Sequence, residues 1–131
     1  MSYPKPPGFH TVWHIVCPQR RNRHHAMPGS GHYHVAIPGE DFERIQRSVD
    51  RGQNMWRLSP VRTAQEVGIV HLGLRMNDVY TFVEQYRDAD SGLMHAVVRV
   101  KHRNCTYLVN LYQPEKQGPS GIWVVESVTE I

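Results

Sequence analysis

The chain has 131 residues, of which 40% are hydrophobic and 21% are charged, and its formal net charge is +3. A chain of this length forms about one domain with one real core, and this composition excludes global disorder. No apolar run reaches the ~18 residues of a membrane span. The first ten residues also lack the charged and apolar regions of an export signal. These features predict a soluble, cytoplasmic protein.

The basic excess lies in the N-terminal half of the chain. Residues 1–58 carry eight Lys and Arg against four Asp and Glu, whereas residues 59–131 carry seven against eight. Arg20, Arg21 and Arg23 form the densest basic cluster. Short basic loops are common on solvated surfaces, so nucleic-acid binding is only a minor hypothesis.

Residues 1–37 are expected to form a histidine- and proline-rich arm ahead of an α+β domain at residues 38–131. The arm holds six of the nine histidines and five of the nine prolines, and it lacks sustained periodicity. Only residues 10–17 and 32–37 have the composition of short strands. The arm is therefore predicted to be irregular, either folded onto the sheet or partly disordered.

The arm and the domain carry one cysteine each, Cys17 and Cys105. Two cysteines are too few for a disulfide framework, and their spacing matches no redox motif. Two reduced thiols are therefore expected in preference to a bridge. A cysteine nucleophile paired with a histidine has no specific support, because nine histidines guarantee such pairs by composition alone.

A first helix is predicted at about residues 41–51, where apolar residues recur every third or fourth position between charged ones. Asp41 is suited to cap its first turn. Gly52 lies where a residue with left-handed backbone would end it. One face of this helix is expected to pack on a core.

A second helix is predicted at about residues 59–67. Ser59 followed by Pro60 is typical of an N-cap with proline at the first helical position. Gly68 is expected to end the helix. Between the two helices, three large apolar side chains are expected to anchor the core: Met55, Trp56 and Leu58.

The second half of the domain changes to a period of two. In residues 94–102 the apolar side chains alternate with His95, Arg99 and Lys101, as a half-buried strand requires. Three further runs are rich in strand-forming residues: 79–86, 105–112 and 122–128. Short, turn-like separators favour an antiparallel meander of about four strands. The predicted fold class is α+β, with two short helices followed by this meander.

The stretch from Val49 to the C-terminus contains VDRGQNMWRLSPVRTAQEVG and the hairpin YQPEKQGPSGIWVV. These residues resemble a group of small uncharacterised proteins from Gram-positive bacteria. The order of helices followed by a curved antiparallel sheet is similar to cystatin-like and NTF2-like folds. The resemblance implies a fold but no activity. In the NTF2-like class the sheet often encloses a small-molecule pocket or supports a dimer.

Histidine placement suggests a metal hypothesis. His32 and His34 form an H-x-H pair that on a strand projects to one side, and His24 and His25 precede it. Zn²⁺, Cu²⁺ or Ni²⁺ would accept such ligands. No spacing matches a known zinc framework, so a solvated or pH-sensitive arm is the competing interpretation.

Three function hypotheses follow. The favoured one is a non-enzymatic binding or interaction module, a homodimer through its sheet. The second is a metal-binding protein using the histidine arm. The third is an enzyme with a small-molecule pocket in the sheet, holding a polar pair such as His95 with Glu126 or Asp78. The pocket or interface is predicted to include Tyr80, Phe82, His95, Tyr107 and Trp123.

Overall fold

The computed structural model describes Ile15, Cys17 and residues 32–131. Its elements, in chain order, are β1 (His32–His34), α1 (Phe42–Asp50), a 3₁₀ turn (Met55–Leu58), α2 (Pro60–His71), β2 (Val79–Arg87), β3 (Met94–His102), β4 (Cys105–Tyr112) and β5 (Val124–Glu130). The predicted α+β class is confirmed. No helix of the described residues is long and apolar enough to cross a membrane.

The five strands form one antiparallel sheet in the order β1-β5-β4-β3-β2. Strands β2 to β5 are the predicted meander. The fifth strand, β1, comes from the segment assigned to the arm and pairs with β5, so that residues 32–34 belong to the sheet. Among the described residues, β1 and β2 are therefore the two edge strands.

Helix α1 begins and ends as its sequence predicts. The Asp41 side chain accepts a hydrogen bond from the backbone N–H of Arg44 at 3.1 Å, which satisfies a donor that the first turn leaves unpaired. Gly52 has a φ of 90°, the left-handed conformation that lets the chain leave the helix.

Helix α2 begins at the predicted cap, where Ser59 Oγ accepts from the N–H of Arg62 at 3.1 Å. The predicted end at Gly68 is wrong, because the helix continues to His71 and turns at Gly73, which has a φ of 78°. Gly68 has a packing role instead. A Cβ at this position would lie 2.5 Å from Cδ1 of Leu74, a side chain that is 4% exposed.

The main core lies between α2 and one face of the sheet. The predicted alternation in β3 is confirmed, since Val98 and Val100 are fully buried and Ala96 is 1% exposed. They pack against Ala64 and Val67 of α2. Burying one such side chain contributes ~1.5–3 kcal/mol. We call this the helix face and the opposite side the open face.

A smaller cluster holds α1 against the end of the sheet. Val49 packs with Ile122 and Val124, and Tyr112 joins them at the margin. The predicted anchors between the helices are only partly confirmed. Trp56 and Leu58 are partly buried against the core clusters, but Met55 is 50% exposed, because the 3₁₀ turn points Arg57 inward instead.

Two buried glutamine side chains hold the loop between β4 and β5. The amide of Gln113 donates to the carbonyls of Gly118 and Gly121 and accepts from the N–H of Gly118. Gln46 of α1 donates to the carbonyl of Ser120 and accepts from the N–H of Ile122. Buried backbone groups require such partners, which gives a physical reason for the unusual composition of this hairpin.

The expectation of two reduced thiols is wrong, since Cys17 and Cys105 form a disulfide. The bridge joins residues separated by 88 positions, a contact that sequence spacing could not reveal. The N–H of Ile15 donates to the carbonyl of Leu72, and its side chain is 6% exposed. Of the strand predicted at 10–17, only Ile15 and Cys17 are described, and neither is in a strand.

Candidate functional site

Three rings stack across the open face. Tyr86, His95 and Tyr112 are directly opposite one another on β2, β3 and β4. The ring centroids of Tyr86 and His95 are 5.4 Å apart, and those of His95 and Tyr112 are 5.9 Å apart. Adjacent strands lie ~4.8 Å apart, so equal register brings the rings into contact. We call these three residues the aromatic ladder.

Glu126 adds a carboxylate to the ladder. It is the extra residue of a bulge in β5, because Asn110 pairs with Ser127 while Leu111 pairs with Val125. Its Oε1 lies 3.9 Å from Nδ1 of His95, and the two side chains are 43% and 15% exposed. The structure therefore brings together the predicted pair of His95 and Glu126.

The phenols of the ladder lie in an environment that keeps them protonated. Partial burial raises the pKa of Tyr112, and the charges of Glu126 and Glu40 add to this effect. Burial also raises the pKa of Tyr86, with further contributions from Asp88, Glu84 and Glu126. Desolvation and neighbouring negative charge both disfavour a phenolate. Both hydroxyls are therefore hydrogen-bond donors at neutral pH.

A cleft of about 390 Å³ begins where the ladder ends at Tyr112. The lining residues come from the segment after β1, the start of α1 and the open face: His34, Val35, Ala36, Ile37, Glu40, Phe42, Tyr112, Val125 and Glu126. The rings of Phe42 and Tyr112 meet edge to face with centroids 6.4 Å apart. The cleft has the size of a small-molecule site, and its lining combines apolar side chains with carboxylate, imidazole and phenol groups.

One carboxylate of the cleft is already neutralised. Glu40 pairs with Arg57 at 3.1 Å, and the two side chains are only 9% and 10% exposed. Arg57 also donates to the carbonyl of Trp123, and its guanidinium lies 4.7 Å from the ring centroid of Trp56. A buried charge requires such compensation. Glu126 is therefore the cleft carboxylate that remains available to a ligand.

Sequence reasoning missed the pair of Glu40 and Arg57. The residues are 17 positions apart, in a loop and a 3₁₀ turn, where no periodicity relates them. The one signal in the sequence was an arginine directly after a tryptophan, within a run expected to be buried. Arginine stacks on aromatic rings more readily than lysine, but this signal alone is weak.

The five predicted pocket or interface residues do not form one site. His95 alone lies on the open face. Tyr107 and Trp123 are both 3% exposed and belong to the main core, which corrects their assignment to a pocket or interface. Tyr80 and Phe82 are opposite Val100 and Val98, so the pleat directs them to the helix face. Phe82 remains 45% exposed because β2 is an edge strand.

The predicted metal ligands are described only in part. His32 and His34 lie on the same side of β1 with ring centroids 5.3 Å apart, as the H-x-H spacing predicts. Nδ1 of His32 is 2.8 Å from Oγ1 of Thr129. His24 and His25 lie outside the described residues. Within the described part of the chain, no three His, Cys, Asp or Glu residues are grouped as a metal site requires.

Comparison of the chain with protein-family models, with curated proteins and with solved structures finds no match. The function is therefore argued from the geometry of the described residues.

Proposed function

We propose that this protein is a binding or interaction module that forms a homodimer through the β2 edge of its sheet. The main support is the exposure of β2. It has nine residues, of which all but Tyr80 are exposed, and no strand of the described residues pairs with its outer side. An unpaired edge offers a row of backbone donors and acceptors to another strand.

The side chains around this edge favour association. Val79, Phe82 and Val83 of β2 are 58%, 45% and 43% exposed. The exposed large hydrophobic residues of the segment 70–86 are Val70, Met76, Val79, Phe82, Val83 and Tyr86. Single exposed apolar residues are normal on a surface, but this concentration in one segment is typical of an interaction site.

A second copy of the chain is the partner that we infer. An antiparallel contact between two β2 strands is self-complementary about a two-fold axis, the commonest symmetry of soluble homodimers. The only charged residues of β2 are Glu84 and Arg87, so the strand has no net charge to repel its copy. A register shift between Phe82 and Glu84 breaks the regular edge and limits strand pairing to short stretches on either side.

The test is the oligomeric state of Val83→Lys, measured by light scattering on the full chain over a range of concentrations. A lysine on the edge has to be desolvated by the partner, so the dimer should weaken at least about tenfold. Ile131→Lys is the matched control, because Ile131 is 66% exposed beyond the end of β5 and lies outside the proposed contact. A wild-type protein that remains monomeric, or equal weakening by both variants, would contradict the proposal.

A second candidate function is binding or conversion of a small molecule at the aromatic ladder. The observation that favours it is the pair of His95 and Glu126 beside the cleft of about 390 Å³. A ligand there would meet the Glu126 carboxylate, the Tyr112 phenol and the apolar side chains of Val35, Ile37 and Phe42. Ligand-induced shifts in the NMR signals of His95 and Tyr112 would distinguish this function from one confined to the β2 edge.

Three earlier expectations remain proposals. A metal site needs His24 and His25 to approach His32 and His34. The cystatin-like or NTF2-like assignment is supported by the order of helices before a meander. A Gram-positive bacterial origin rests on the sequence resemblance alone. A cytoplasmic location is less well supported, because a disulfide between Cys17 and Cys105 favours an oxidising compartment.

A further inference from the structure

A second histidine of β3 forms a buried pair with a carboxylate on the helix face. Nδ1 of His102 lies 2.7 Å from Oδ2 of Asp78, and the two side chains are 4% and 6% exposed. The same Asp78 oxygen accepts a hydrogen bond from the N–H of Arg75 at 2.7 Å. An ionised Asp78 is an acceptor only, so it places the proton of neutral His102 on Nδ1. Nε2 is then the basic nitrogen of the ring.

The disulfide lies directly across the hairpin from this histidine. Arg103 and Asn104 form the turn between β3 and β4, and His102 is paired with Cys105 across it. Residues opposite each other in an antiparallel pair point to the same face, with Cβ atoms ~4.5–5.5 Å apart. The imidazole is therefore a neighbour of the disulfide that Cys105 forms with Cys17. Both cysteines are partly accessible to solvent.

We propose that Asp78, His102 and the Cys17–Cys105 disulfide form a thiol–disulfide exchange site whose substrate is a low-molecular-weight thiol. His102 is the catalytic residue, which accepts the proton of the incoming thiol and passes it to the departing sulfur. Asp78 is a positioning residue, which fixes the ring and compensates the imidazolium charge. An acid that orients a histidine beside a sulfur is the arrangement that activates cysteine nucleophiles elsewhere.

The reaction balances with two thiols. The first thiol loses its proton to His102, its thiolate attacks Sγ of Cys17, and the bond between the two cysteine sulfurs breaks. The Cys105 thiolate then takes the proton from His102, leaving a mixed disulfide on Cys17. The second thiol gives its proton to His102, its thiolate attacks the small-molecule sulfur of the mixed disulfide, and the Cys17 thiolate that leaves takes that proton from His102. The protein disulfide gains two electrons, and the two thiols become one small-molecule disulfide.

Reduction would also remove the covalent link between Cys17 and β4. Ile15, two positions earlier, is held by its buried side chain and by the hydrogen bond from its N–H to the carbonyl of Leu72. Exchange at this site therefore decides whether Cys17 is tied covalently to the sheet. This site lies on the helix face and is separate from the aromatic ladder on the open face, while Asp78 directly precedes the β2 edge.

The competing explanation is that the Asp78–His102 pair only stabilises the hairpin. Whether a substitution raises or lowers the rate of disulfide reduction distinguishes this structural role from the proposed acid–base role. A merely destabilising substitution exposes the disulfide and speeds its reduction. Loss of an acid–base residue slows the reduction. His102→Asn retains a donor toward Asp78 while it removes the second ring nitrogen, so it separates the two effects.

The experiment measures the rate of reduction of the full chain by reduced glutathione, with alkylation and intact mass as the readout. Wild type purified without reductant should contain the disulfide, and His102→Asn should react roughly tenfold more slowly. Val98→Ala, a buried residue on the same strand and face, is the control for lost stability and should react as fast as wild type or faster.

Asp78→Asn tests the positioning role. It should slow the reduction in the same direction as His102→Asn and change the His102 tautomer seen in long-range ¹H–¹⁵N spectra. Free thiols in the wild-type protein after exposure to air would overturn the proposal. So would a His102→Asn variant that reacts at the wild-type rate or faster, or an Asp78→Asn variant with an unchanged rate and tautomer.

Discussion

The two edges of the sheet differ in length, polarity and support. β1 has three residues, and its two histidines face the open side, whereas β2 has nine residues with exposed valine and phenylalanine side chains. Natural proteins protect sheet edges with short strands and polar or charged side chains. β1 has this protection, while β2 is three times as long and has its register shift and two charged side chains, Glu84 and Arg87. This contrast is the reason why the proposed homodimer contact is placed at β2 and not at β1.

The largest expected loss in the free energy of unfolding comes from removing the buried carboxylate that precedes the β2 edge. Asp78 directly precedes β2 and is the buried partner of His102, so Asp78→Ala leaves Nδ1 of His102 without its hydrogen-bond partner inside the protein. Leaving a buried polar group unsatisfied costs about 1–3 kcal/mol in the free energy of unfolding. Urea denaturation under oxidising conditions measures the loss.

The corresponding change at the other edge is His32→Ala, which removes an exposed hydrogen bond to Thr129. Surface contacts of this kind change the free energy of unfolding by less than about 0.5 kcal/mol. Equal losses for Asp78→Ala and His32→Ala would contradict the difference in support between the two edges.

Removing the hydroxyl of either of two tyrosines on the helix face is expected to change the free energy of unfolding by an intermediate amount or less. The Tyr80 hydroxyl of β2 donates to the carbonyl of Arg75 at 2.8 Å, whereas the buried Tyr107 hydroxyl of β4 has no partner among the described residues. Tyr80→Phe should cost about 1 kcal/mol at neutral pH. Tyr107→Phe should be neutral or slightly stabilising, because the hydroxyl it removes is unpaired.

The burial of the Tyr107 phenol can also be tested through the stability of the protein at alkaline pH. Burial raises the pKa of Tyr107 to about 12, whereas an unfolded tyrosine titrates near 10. Between these values the folded state binds more protons than the unfolded state, so stability falls as the pH rises from about 10 to about 12. Tyr107→Phe should make this fall less steep in denaturation curves recorded across the range. A slope equal to that of wild type would contradict the burial of the phenol.

Local signals in the sequence predicted the elements that depend on local physics. Asp41 and Gly52 bound α1 because caps act within one turn, and the alternation of β3 follows from the pleat. The helix end predicted at Gly68 was wrong because glycine is required there by a tertiary contact, since the Leu74 side chain fills the space that a Cβ would take. A glycine read alone looks like a helix stop.

The site was predictable only in part for the same reason. The sequence analysis paired His95 with either Glu126 or Asp78. In the structure His95 lies beside Glu126, whereas Asp78 pairs with His102, whose side chain points to the opposite face of β3. The burial of Arg57 and the Cys17–Cys105 bridge depend on contacts distant in sequence, which no local period encodes.

The most direct measurement of the β2 contact is hydrogen exchange on the wild-type chain at low and high protein concentration. Amides of β2 should become more protected as the concentration rises, because a second strand pairs with them, while amides of β1 should exchange at the same rate throughout. Exchange of β2 that does not depend on concentration, or protection gained at β1 instead, would contradict a dimer through β2.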